Sequence, residues 1–126
     1  MPTFTTRELD IMSVLWRSGS ATVGEVRDAL ADAGIELAYN TVLTILRILQ
    51  EKGHVGHAVE GRAHRFRALV ARDAASRTAV RRLLDGLFDQ SPEALLTHLV
   101  RGEGLDRAAL ERLKALVESE LQENEQ

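Results

Sequence analysis

Four histidines, at positions 54, 57, 64 and 98, are the side chains best suited to proton transfer or metal ligation near neutral pH. His54 and His57 can serve a metal only with further ligands. The chain has no cysteine, and no carboxylate-rich segment lies beside them, so neither a metal nor another cofactor is expected. Serine, histidine and aspartate all occur, but without a nucleophile elbow or a glycine-rich phosphate loop. Catalysis is therefore not expected. Two other groups suit recognition of a polyanion: Asn40, Thr41, Leu43, Thr44 and Arg47 in one segment, and Arg62, His64, Arg65 and Arg67 in another.

The first group needs a helix to aim it. Val42, Ile45, Leu46 and Leu49 recur at i, i+3, i+4 and i+7, which predicts a helix from about Tyr39 to Lys52, stopped at Gly53. Turning that stripe inward, at ~100° per residue, leaves Asn40, Thr44, Arg47 and Glu51 on the opposite face. Thr41, Leu43 and Ile48 fall on the flanks. Small polar side chains near a helix N-terminus can approach base edges in a DNA major groove, where the positive end of the helix dipole also favours phosphate. Arg47 would meet a guanine edge or a phosphate, and Leu43, if exposed, a thymine methyl. A polar outer face is equally what any surface helix presents.

The second group needs a hairpin. Residues 54–59 and 64–69 alternate as two strands about the turn Glu60-Gly61-Arg62. Alternation sets Phe66 against Arg65 and Arg67, so the arginines would lie on phosphates. Arginine-rich edges also discourage sheet-to-sheet association, which is the plainer explanation.

Ahead of these elements stand two capping boxes. Thr5 with Glu8 opens a helix carrying Leu9, Met12, Val14, Leu15 and Trp16, and Thr22 with Glu25 opens one carrying Val23, Val26, Ala29 and Leu30. Three helices and a hairpin are the order of a winged helix-turn-helix. The expected fold is mainly α with a small β-hairpin wing: a DNA-binding domain over residues 1–71, then a helical dimerisation domain over 72–126. No apolar run approaches the ~20 residues of a membrane span, and Met1-Pro2-Thr3-Phe4 does not open a secretory signal. A cytoplasmic protein with no membrane insertion is expected.

Net charge conceals a division. The 126 residues sum to −3, yet residues 37–82 hold nine Lys and Arg against three Asp and Glu, and residues 83–126 hold four against ten. A polyanion-facing half and a partner-facing half are implied.

The segment Asn40-Thr41-Val42-Leu43-Thr44-Ile45-Leu46-Arg47, closing at Glu51-Lys52-Gly53, resembles the recognition helix of penicillinase repressor (BlaI/MecI-like) transcription factors. So do Thr6–Trp16, the wing Glu60–Phe66, and Asp89-Gln90-Ser91-Pro92-Glu93-Ala94-Leu95. The resemblance covers nearly the whole chain. It implies a homodimeric repressor of palindromic operator DNA, with a role in antibiotic resistance, inactivated through a membrane-bound sensor metalloprotease. The family's scissile bond joins Asn to Phe; the aligned bond here is His98–Leu99. Copper-responsive relatives carry a cysteine cluster that this chain lacks.

In the C-terminal half, Leu83, Leu84, Leu87 and Phe88, then Leu95, Leu96, Leu99 and Val100, then Leu110, Leu113 and Val117 form short apolar stripes, and the tail from Gln122 to Gln126 is expected to fray. With few aromatics to close a core, a second copy is the expected partner, against a monomer whose helices fold back on the winged helix. A rival function is a winged helix that docks protein and never meets DNA; the basic segment argues for DNA.

Overall fold

A computed structural model describes residues 3–125. Its elements are α1 (Thr6–Ser18), β1 (Ala21–Thr22), α2 (Val23–Asp32), α3 (Tyr39–Glu51), β2 (Val55–Glu60), β3 (Ala63–Ala68), α4 (Arg72–Leu87), α5 (Pro92–Gly102) and α6 (Arg107–Asn124). Both capping boxes form. The Thr5 hydroxyl accepts from Glu8 N–H at 3.2 Å while Thr5 N–H donates to Glu8 Oε1 at 2.8 Å, and Thr22 with Glu25 repeats the exchange.

The chain divides into two compact units between Val80 and Arg81. The division falls inside α4, nine residues beyond the boundary placed after residue 71. The start of α4 is held by Trp16, whose indole N–H donates to Val70 O at 2.8 Å and whose ring has the Arg72 guanidinium 5.5 Å above it. These contacts join the start of α4 to the first unit.

The core of that unit is aliphatic. Ile11, Met12, Val14 and Leu15 of α1 pack with Val23, Val26 and Leu30 of α2 and with Val42, Leu46 and Leu49 of α3. Ala21, Val55 and Phe66 close it from the sheet. Leu9, grouped with the apolar residues of this helix, is 40% exposed, while Ile11 is buried. Glu8 is buried on the same face. Its carboxylate is buried between the capping box and Lys52, whose Nζ donates at 2.8 and 3.1 Å. Burial alone would raise the Glu8 pKa, but the hydrogen bonds from Lys52 and Thr5 and the Lys52 charge outweigh it and hold it below the ordinary value.

The expected two-stranded wing is the larger part of a three-stranded antiparallel sheet, ordered β1-β3-β2. Ala21 pairs with Phe66 and Thr22 with Arg65, while Val55–Glu60 pairs with Ala63–Ala68. Only Gly61 and Arg62 remain in the loop, and Gly61 supplies the positive φ of 62° that so tight a hairpin turn demands.

In the second unit, Ser91 accepts from Ala94 N–H at 3.1 Å with Pro92 in the first turn, and Asp106 accepts from Ala109 N–H at 2.8 Å. Phe88 meets His98 edge-on at 5.4 Å between ring centroids. No residue of α5 or α6 is buried. Instead of fraying from Gln122, α6 continues to Asn124; Gln126 lies outside the described residues.

Candidate nucleic-acid interface

The inward stripe of α3 leaves Asn40, Thr41, Thr44 and Arg47 exposed. Thr44 is partly engaged, its hydroxyl donating to Asn40 O at 2.8 Å. Arg47 makes no ion pair among the described residues. Leu43 does not stand free on the flank, because it is half-buried and packed against the core. The helix begins at Ala38 with no side chain capping it, unlike α1, α2, α5 and α6. Its first-turn N–H groups therefore have no side-chain acceptor, and the positive end of the dipole is left uncompensated.

The far end of α3 is tied to the wing. Gln50 Oε1 lies 2.7 Å from His57 Nδ1, a hydrogen bond from α3 to β2. His57 in turn stacks on His64, with centroids 4.7 Å apart and rings 4° from parallel, and tilts against Phe66 at 5.6 Å. Thus His64 sits on the Phe66 face of the hairpin, away from Arg65 and Arg67. Nothing in the spacing of these residues announced the Gln50 contact, since it joins a helix to a strand.

The four wing residues are not equivalent. Arg62 in the loop and Arg67 on β3 are exposed, and neither makes an ion pair among the described residues. Arg65 is half-buried and bridges two acids, with Nε 2.8 Å from Glu60 Oε2 and a terminal nitrogen 2.9 Å from Glu25 Oε1. Hydrogen bonding to Glu60, with the charges of both acids, raises the Arg65 pKa above its already high ordinary value. Glu25 is held below the usual carboxylate range by the Thr22 N–H and hydroxyl, with Arg65 adding to the effect. Capping-box spacing identified Glu25 as a helix start; its second role depended on the two-residue β1, too short to show alternation.

Among the described residues no group of three His, Cys, Asp or Glu side chains is placed to hold a metal ion, and no helix is long and apolar enough to cross a membrane. The family model for the penicillinase repressor matches residues 4–119. The chain belongs to that family. It is 36% identical over 115 residues to the transcriptional regulator BlaI of Mycobacterium tuberculosis, a match covering 89% of this chain and 83% of that one. A solution structure of the DNA binding domain of the repressor BlaI aligns at 28% identity and a TM-score of 0.51, over 56% of this chain and 85% of that one. A MarR family protein from Bacillus stearothermophilus aligns at 16% identity and a TM-score of 0.56, over 99% of this chain and 78% of that one, a likeness of fold alone. The penicillinase repressor family is one of regulators, so the chain is a repressor-type transcription factor and not an enzyme.

Proposed function

We propose that this penicillinase repressor family member represses transcription as a homodimer on palindromic operator DNA. Each α3 would enter a major groove, with Asn40, Thr41, Thr44 and Arg47 facing the bases, while the wing rests on phosphates. The observation that carries the reading is the outer face of α3: polar, exposed, free of acidic partners at Arg47 and uncapped at its N-terminus. First-turn N–H groups without a side-chain acceptor, together with an Arg47 unpaired among the described residues, are free to meet phosphate.

Leu43 enters as a partial contact, because its half-buried side chain presents only an edge to a thymine methyl. Dimerisation falls to the second unit. Leu83, Leu87, Leu96, Leu99, Leu110 and Val117 are each at least 38% exposed in a single copy. Leu95, Leu113 and Phe88 are half-buried and Leu84 is buried, forming the floor beneath them. Release by a sensor-linked protease would act on this unit. His98 and Leu99 lie within α5, so that bond becomes available only when the helix opens locally.

Titrating the full chain with sheared genomic DNA across a salt series tests the reading. Binding that weakens linearly in log–log form as salt rises is expected, because each phosphate contact releases counterions. Indifference to DNA at low salt would leave the protein-docking function in its place.

A further inference from the structure

Arg65 stands in the wing, where a guanidinium would be expected to meet the sugar–phosphate backbone, yet its nitrogens are already taken. Nε donates to Glu60 Oε2 at 2.8 Å, one terminal nitrogen lies 2.9 Å from Glu25 Oε1, and the other reaches Ser20 Oγ at 3.5 Å. We propose that Glu25 and Glu60 clamp Arg65 away from DNA phosphates, so that Arg62 and Arg67 make the hairpin's backbone contacts and non-specific attraction is held down. This rests on the DNA-binding reading above.

The strength of the ion pairs does not decide the matter, since solvent screens pairs this exposed. What decides it is the charge left behind. One guanidinium between two carboxylates is a group of net charge −1. Handing Arg65 to a phosphate would leave Glu25 and Glu60, with side chains 53% and 67% exposed, as two bare carboxylates beside a polyanion. A single phosphate contact does not offset two such repulsions.

The backbone also keeps Arg65 in place. β3 is the central strand, and Arg65 is paired with Thr22 on one side and Ala58 on the other. Glu25 is fixed by accepting from Thr22 N–H at 3.2 Å. Arg65 is therefore a positioning residue that braces the wing against the start of α2. The functional consequence follows from the physics of phosphate contacts. Each one strengthens binding to every sequence alike, so withholding one leaves base contacts a larger share of the total.

The test is the salt dependence of binding to a short mixed-sequence duplex, for wild type, Arg65→Ala, Arg67→Ala, the pair Glu25→Gln with Glu60→Gln, and that pair combined with Arg65→Ala. Glutamine at position 25 preserves the capping box. Arg67→Ala should reduce the log–log slope by about 1. Arg65→Ala should lower affinity, because it bares Glu25 and Glu60 beside the polyanion, yet reduce the slope by less than Arg67→Ala does, since no phosphate contact is lost. The glutamine pair should bind more tightly, with a slope steeper by about 1, and adding Arg65→Ala should reverse the steepening. Removing two negative charges tightens binding by itself, so the deciding result is that Arg65 adds a phosphate contact to the slope only once both acids are gone.

Arg65→Gln, which keeps the stem, repeats the comparison if Arg65→Ala lowers the melting temperature. Arg65→Ala reducing the slope as much as Arg67→Ala would overturn the clamp while leaving DNA binding intact, as would an unchanged slope in the glutamine pair. Failure of the wild type to bind at any salt would instead remove the DNA-binding reading, and the clamp with it.

Discussion

At the scale of single residues, what a side chain can recognise depends on what it already holds. The Thr44 hydroxyl donates to Asn40 O, so toward a base it offers an acceptor oxygen and a methyl group. Those suit an exocyclic amine or a thymine methyl. Thr44→Ala should therefore change which duplexes are recovered from a randomised pool while lowering affinity for bulk DNA little; equal loss on both would remove its base-reading role. Arg67→Ala should do the reverse, weakening all sequences similarly. Glu8 carries a different kind of constraint. Its lowered pKa means that its ionised form favours the folded state, a contribution complete above the ordinary value of 4.5 and lost as pH falls below it, through the lowered folded value. Lys52 is 42% exposed at its side chain, so solvent screens the pair. Glu8→Gln should cost about 1 kcal/mol at neutral pH, and urea midpoints for the two proteins should draw together as pH falls below the ordinary 4.5 and through the lowered folded value.

At the scale of elements, the local signals in the sequence were complete where the structure is local. Thr5 with Glu8 and Thr22 with Glu25 announced two helix starts because a capping box closes within four residues. The apolar spacing of Val42, Leu46 and Leu49 gave α3 its buried face for the same reason. Long-range pairing left weaker traces. β1 has two residues, enough to bond to β3 but too few to alternate visibly. The burial of Glu8 beside an exposed Leu9 has no local signal, because the Lys52 that holds its carboxylate lies 44 residues away. The same limit applied to the candidate site: the exposed face of α3 was legible from periodicity, but the engagement of Arg65 required partners on two other elements. The hairpin loop offers a direct check on the local part. Gly61 has φ of 62° and open space around it, so a Cβ there meets backbone strain and no neighbour. Gly61→Ala should lower stability by about 1 kcal/mol in chemical denaturation, without changing the helical circular dichroism.

For the whole molecule, charge is segregated along the chain. Basic residues gather between 37 and 82, flanked by acidic segments on both sides, so a net charge of −3 conceals the basic middle. Exposed large apolar side chains occur in both units, Val59 at 67% and Leu69 at 53% in the first, but the second carries the leucine-rich set, with Leu87 at 76%, Leu116 at 60% and Leu121 at 58%. Water contact over so much leucine is unfavourable at roughly 25 cal/mol per Å², and the proposed pairing of two copies would remove it from both at once. The acidic residues among these leucines would then stay at the rim, where they keep the paired unit from attracting DNA. Leu87→Glu separates this arrangement from a monomeric repressor. The side chain is already mostly exposed, so folding of the single copy should survive the change, while burial against a second copy should not. Light scattering should show the dimer mass halved. Operator affinity should fall by about 10²- to 10⁴-fold, because the second half-site no longer binds at high effective concentration, whereas each monomer's contact with a single half-site should persist. An unaltered mass with unaltered affinity would place the subunit contact elsewhere on the chain.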